Sequence, residues 1–281
     1  LRYVFLFLSF PLLFYVFYIE KLDIKTSLYK VFKYAILLNT VVIIIGALFS
    51  LKIVETYKFT RFGYNGILLS QGFTPYFYLA ATMLFWSFRD KKMFLLTLIL
   101  SIVSGIKGVY FAECLALSLM VLCNKELSKM FKIKVLSVLF IVFAALVIIL
   151  LNTHPFKELM DSNSFLSALF SYRTDNLLCE IETLSRDNFN IFIGANGADI
   201  SRLELQIVDI FMFFGLTGLL VYGVFVFKLI KIIKGNTLAL IFLATAVLLS
   251  ALSGNLFYIP LSSFVLVITL FSLVQIQDST V

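Results

Sequence analysis

The 281-residue chain is 61% hydrophobic and only 14% charged, with 32 Phe, which excludes a water-soluble globule and points to an all-α, polytopic membrane bundle. A net charge of +7 would invite nucleic acid in a soluble protein, but here the cations are split among short loops between apolar runs, which argues against that partner. Cys114, Cys123 and Cys179 lack the spacing of a metal site or a disulfide framework and read as packing residues.

A membrane span needs about 20 apolar residues. Nine runs serve as candidates: 3–19, 32–51, 72–88, 93–104, 108–122, 135–151, 207–227, 237–253 and 257–274. The chain opens on Leu1 rather than Met, which reads as a fragment whose earlier spans lie upstream. The first run has no small-residue cleavage site and is followed by further spans, so it reads as a span and not a signal peptide. Lys21, Lys25, Lys30 and Lys33 follow it, and Arg89, Lys91 and Lys92 follow the third run. The fifth run is followed by Lys125, Lys129, Lys132 and Lys134, and the seventh ends in Lys228, Lys231 and Lys234. With alternating spans these 14 of the 23 Lys and Arg share one side, and the excess marks it as the cytoplasm.

The fourth run is too short to cross alone and ends at SGIKG (104–108), which predicts irregular backbone inside protein and beside a cavity. The outer segments are then 51–71, the SGIKG break, 152–206 and a turn at Gly254 and Asn255. Within 152–206, Leu177, Leu178, Ile181 and Leu184 form one apolar stripe, predicting an amphipathic helix over 174–185 that lies flat on the bundle. No internal repeat is visible, so residues 1–281 form a single transmembrane domain with one long outer loop at 152–206.

Cations on the outer side run against the topological bias and need another reason. Lys52, Lys58, Arg61, Lys107, Arg173, Arg186 and Arg202 lie there, and four groupings stand out: Arg61 in RFGYN, Lys107 in SGIKG, Arg173 in SYRTDN, and Arg202 with Glu204, Gln206 and Asp209. Lys107 lies between two glycines at a helix start, where backbone N–H groups favour an anion. On a helix Arg202, Gln206 and Asp209 would share a face from which Glu204 points away. Glu113 is an ionisable group at membrane depth, a candidate by that fact alone. Each has a plain structural alternative. These are headgroup contact for Arg61, snorkelling for Lys107, helix anchoring for Arg173, a helix-end salt bridge for Arg202 with Asp209, and an interhelical hydrogen bond for Glu113. His154, the only histidine, precedes Pro155 and reads as a turn residue. Several outward cations suit a lipid diphosphate, whose oxygens match guanidinium forks and whose departure they would stabilise without a metal.

The order of these motifs resembles the O-antigen polymerase (Wzy) and O-antigen ligase superfamily of bacterial polysaccharide enzymes, from about Thr60 onward. SGIKG is similar to the SGSRG-like turn that opens a span there, with Lys107 at the basic position. YRTDNLLCEIETLSRDNFNIFIGANG (172–197) resembles its outer loop, with an Arg, an amphipathic helix and a Gly-rich exit. ELQIVDIFMFFGLTGLLVYG (204–223) resembles the span that follows, and SGNLFYIPL the polar turn before the last one.

The resemblance implies inverting, metal-independent glycosyl transfer with no cofactor, at the periplasmic face of the bacterial inner membrane. It implies undecaprenyl-diphosphate-linked glycans as substrates, with the lipid bilayer and a chain-length regulator as further partners. The ligase pattern places a His just before the span that begins here near Ile207, whereas this chain has Leu203, Glu204 and Leu205. That departure favours a polymerase of O-antigen or capsule repeats, with a ligase acting on lipid A core or a flippase of the same lipid as alternatives. Arg61, Lys107, Arg173 and Arg202 are the expected substrate-binding residues, and Glu204 or Asp209 the carboxylate that activates the acceptor hydroxyl.

Overall fold

Each apolar run is filled by one helix, and its ends fall where charge or turn chemistry changes. In the computed structural model the described residues are 2–20, 23–57, 62–68, 70–153, 156–162, 164–171, 173–186, 189–195, 202–253 and 256–278. In chain order the helices are α1 (Arg2–Glu20), α2 (Lys25–Leu48), α3 (Thr74–Ser87), α4 (Lys91–Val103), α5 (Lys107–Cys123) and α6 (Lys129–Leu151). Three short helices follow, α7 (Phe156–Ser162), α8 (Phe165–Phe170) and α9 (Arg173–Arg186), and then α10 (Gln206–Ile233), α11 (Thr237–Ser253) and α12 (Pro260–Asp278). Among the described residues there is no strand, only two isolated bridges.

Three helices, α2, α6 and α10, are long and apolar enough to cross a membrane, and α1, α11 and α12 are shorter apolar helices. The outward surface fits lipid. On α6 only Leu150 and Leu151 are buried, while Phe140 is 68% and Ile141 64% exposed. Water would leave that apolar helix without the burial that stabilises a soluble fold, whereas hydrocarbon accepts it. By contrast α3 is buried without interruption from Thr74 to Phe85. It is the axis of the bundle, packed against α2, α4, α5, α11 and α12. Its 14 residues extend only ~21 Å at 1.5 Å per residue, so its ends lie within protein. Helix α1 packs on α12, and Phe10 and Phe14 meet Phe225 of α10 edge to face.

The turn chemistry sorts the loops into two ends. Tyr29 of α2 donates to Asp90 at 2.7 Å, and Asp90 caps α4 by accepting from Met93 N. Asn236 donates to Leu273 O at 2.8 Å, tying the α10–α11 turn to α12. Trp86, Lys91, Asn236 and Leu273 line one cavity, so both ties stand at the same end. Lys132 donates to Leu122 O and closes the α5–α6 turn there too, because α5 returns beside α4. The opposite end carries the SGIKG break, α7 to α9, the 202–206 approach to α10, and residues 256–258. At the break, Ser104 O accepts from Thr56 Oγ1 at 2.6 Å and Val103 O from Tyr64 N at 2.9 Å, so protein satisfies the backbone that leaves the helix.

Helix α10 is broken at Gly215, whose φ of 61° and ψ of −157° only glycine adopts readily. The segment 190–195 is inserted there. Leu216 N donates to Ile191 O and Thr217 N to Phe192 O, while Met212 O accepts from Ala195 N. These bonds replace the helical ones that the break removes. A Cβ on Gly215 would stand 2.5 Å from the Phe192 carbonyl carbon, and one on Gly194 2.5 Å from that of Phe213. Two glycines, 21 positions apart, therefore let two backbones touch.

Candidate functional site

Four of the six expected site residues meet at the end away from the basic loops. Arg173, at the start of α9, donates through Nη2 to Glu204 at 2.7 Å, and Arg202 Nη2 donates to the other Glu204 oxygen at 3.0 Å. Asp209, in the first turn of α10, accepts from Leu203 N at 2.9 Å. Arg202 also stacks on Tyr258, its guanidinium carbon 3.6 Å from the ring centroid, which holds the plane of the fork. The buried phenol of Tyr76 on α3 lies within Coulombic reach of Arg173, so the cluster sits over the bundle axis.

Helix α10 begins at Gln206, so Arg202 stands in the preceding loop and shares no helix face with Asp209. Glu204 does not point away but bridges both arginines. The cause is its backbone, with φ at 60°. That left-handed conformation costs a non-glycine residue about 1–2 kcal/mol, and the two charge-assisted bonds offset it. The side chains are 21% exposed at Arg173, 15% at Arg202 and 42% at Glu204, so the carboxylate forms the solvent-side lid of two partly buried cations. The buried Nε of Arg173 and Nε2 of Gln206 have no hydrogen-bond partner among the described residues. Unused buried donors beside two cations suit an acceptor-rich anion.

Lys107 does different work from the ligand contact that its sequence context predicts. Its ammonium donates to Ala168 O and Leu169 O at 2.8 Å and to Ser171 Oγ at 2.9 Å, and stands 3.9 Å from the Phe156 ring centroid. Those three acceptors match its three hydrogens. It fastens the last turn of α8, and with it the Ser171 turn from which Arg173 projects. Asp175 of α9 accepts from Ser167 Oγ at 3.1 Å, a second tie between these short helices. Arg61, Lys58, His154 and the Gly254–Asn255 turn lie outside the described residues. The amphipathic stripe of α9 is divided, with Leu177 packed against the Leu203, Met212 and Phe213 cluster and Leu178 64% exposed. Glu113 is elsewhere, between α3, α4 and α5. One of its oxygens accepts from Thr82 at 2.8 Å and Ser101 at 3.2 Å, while the other has no partner among the described residues.

Burial pushes the Glu204 carboxyl up, but the hydrogen bond and charge of Arg173, followed by the charge of Arg202, outweigh it and hold its pKa below the ordinary 4.5. A depressed pKa means stability that is present above pH 4.5 and lost as pH falls through the lower folded value. Acidification below pH 4.5 is therefore expected to release the 202–206 loop, seen as faster proteolysis there, and Glu204→Gln to remove that pH step. Identical pH profiles for both proteins would contradict the pairing.

No protein-family model matches the chain, and no curated protein or solved structure matches it significantly.

Proposed function

We propose that the chain is a glycan polymerase of a bacterial inner membrane, joining undecaprenyl-diphosphate-linked repeat units of an O-antigen or capsule at the periplasmic face. The observation that carries this reading is the bridge between Arg173, Glu204 and Arg202, in which one carboxylate spans two partly buried guanidinium groups. A diphosphate offers the same paired oxygens with more charge, and would displace the carboxylate from the forks. In the proposed topology the nine apolar runs alternate in direction across the membrane, the short ones ending within protein, with the basic loops in the cytoplasm.

The chemistry follows from the exchange. The acceptor hydroxyl oxygen bonds to the anomeric carbon as the bond from that carbon to the diphosphate oxygen breaks. Arg173 and Arg202 stabilise the charge that develops on the departing lipid diphosphate. Glu204, freed from the cations that depress its pKa, takes the hydroxyl proton, while Asp209 holds the loop through Leu203 N. Lys107 positions Arg173 through the Ser171 turn. A groove of about 550 Å³ between α1 and α10, lined by Phe7, Pro11, Ile193, Phe214 and Phe257, provides an apolar seat for the prenyl chain. It reaches the site through Phe257, whose N–H donates to Gln206.

The experiment is reconstitution with a lipid-linked repeat unit, with and without lipid A core. Polymer from repeat units alone supports the polymerase. A product that requires lipid A core would indicate the ligase, and translocation without a new glycosidic bond a flippase.

A further inference from the structure

The end that carries the basic loops holds a second feature, independent of the glycan site. A cavity of about 730 Å³ opens between the α3–α4 turn and the α10–α11 turn. Phe85, Phe94, Leu238 and Leu273 give it an apolar floor, and Arg89 and Lys91 a cationic rim. The acid between those two cations does not neutralise them. Asp90 is held by Tyr29 at 2.7 Å and Lys33 at 3.7 Å and caps Met93, while no ion pair of Arg89 or Lys91 occurs among the described residues. Thr237 and Leu238, in the first turn of α11 that Asn236 caps by accepting from Ala239 N, line the opposite wall. Trp86, the only tryptophan, packs on Phe94 at 5.4 Å between ring centroids and forms the side that faces outward. Indole rings favour the headgroup level of a bilayer.

An apolar floor beneath two exposed cations is complementary to an amphiphile with a negative head. We propose that this cavity binds an anionic phospholipid of the adjacent leaflet, with its phosphate at Arg89 and Lys91 and its glycerol and first acyl carbons on Phe85, Phe94, Leu238 and Leu273. The volume lies within the range of small-ligand sites. The bound lipid would bridge the two turns, α3–α4 and α10–α11.

Native mass spectrometry of the full chain released from nanodiscs, with phosphatidylglycerol or phosphatidylcholine as the probe lipid, tests this. Arg89 has φ at 58°, so Asn, which tolerates that backbone, is the substitution of choice. The double variant Arg89→Asn/Lys91→Gln is expected to retain phosphatidylglycerol about 10- to 30-fold less well than wild type, each cation near a headgroup contributing about a factor of five. Lys129→Gln/Lys134→Gln removes the same charge from exposed sites in the first turns of α6 and is expected to change retention less than twofold. Equal loss in both variants, or equal retention of the two lipids by wild type, would overturn the proposal. Displacement of the lipid by free glycerol 3-phosphate would overturn it in favour of a soluble anion. Unchanged melting of both variants in detergent shows that the loss is not unfolding.

Discussion

Arg173→Ala is expected to reduce glycan chain growth at least ~100-fold, the scale on which removal of one preorganised donor from a developing anion acts. Arg173 has a donor for this purpose, because its buried Nε has no partner among the described residues while Nη2 already holds Glu204. A fork with one arm engaged and one donor waiting is prepared for an acceptor-rich ligand. Arg173→Lys should fall between wild type and the alanine variant, since an ammonium keeps the charge and loses the planar geometry. The loop itself should survive, because Arg202 still binds Glu204 and Lys107 still fastens the Ser171 turn. Initial rates of polymer formation at matched protein levels provide the check. Unchanged growth in the alanine variant would remove Arg173 from the site.

Gly215→Ala should be among the most damaging single methyl additions among the described residues. The backbone there is one that other residues occupy only at a cost of about 1–3 kcal/mol, and a further ~1–3 kcal/mol comes from forcing atoms apart. The obstacles are backbone atoms, the Phe192 carbonyl and the Gly194 nitrogen at 2.5 and 2.7 Å from the new Cβ, so no side chain can swing away. The segment 190–195 must leave the break in α10, which strips Leu216 N, Thr217 N and Met212 O of their partners. Gly223→Ala is the matched control, in the same helix with nothing within 4 Å of its Cβ. Thermal melting in detergent should drop by on the order of 10 °C for Gly215→Ala, with new protease sensitivity near 190–195, and stay level or rise slightly for Gly223→Ala. Equal melting of the two variants would show that the glycine contact does not hold the loop.

What could be read from the residues divides by sequence distance. The nine apolar helices were legible because each run is a continuous stretch, and the 174–185 helix because its apolar residues repeat locally, whereas the short α7 and α8 carry no such run and were not read. SGIKG was legible as a break because a 13-residue helix cannot reach across a bilayer by itself. The bridge from Arg173 to Glu204 was not, because 31 residues separate them and a left-handed Glu204 reverses the direction that helical spacing assigns to it. Lys107 looked like an anion ligand from its flanking glycines, yet its acceptors come from α8, about sixty positions away. Gly194 stands in the Gly-rich exit of the 172–197 motif and Gly215 in the run that follows, and nothing in their spacing joins them. Only their mutual contact explains both, and a single sequence carries no sign of that pairing.

In the proposed mechanism Glu204 occupies, at rest, the seat that a lipid diphosphate takes. Equilibrium binding of undecaprenyl diphosphate to wild type and Glu204→Gln in detergent tests it most directly. If the carboxylate competes for the two arginines, the glutamine variant binds the lipid more tightly than wild type, by about tenfold for the loss of one charge-assisted competitor, while its turnover falls. Weaker or unchanged binding by Glu204→Gln would contradict the account.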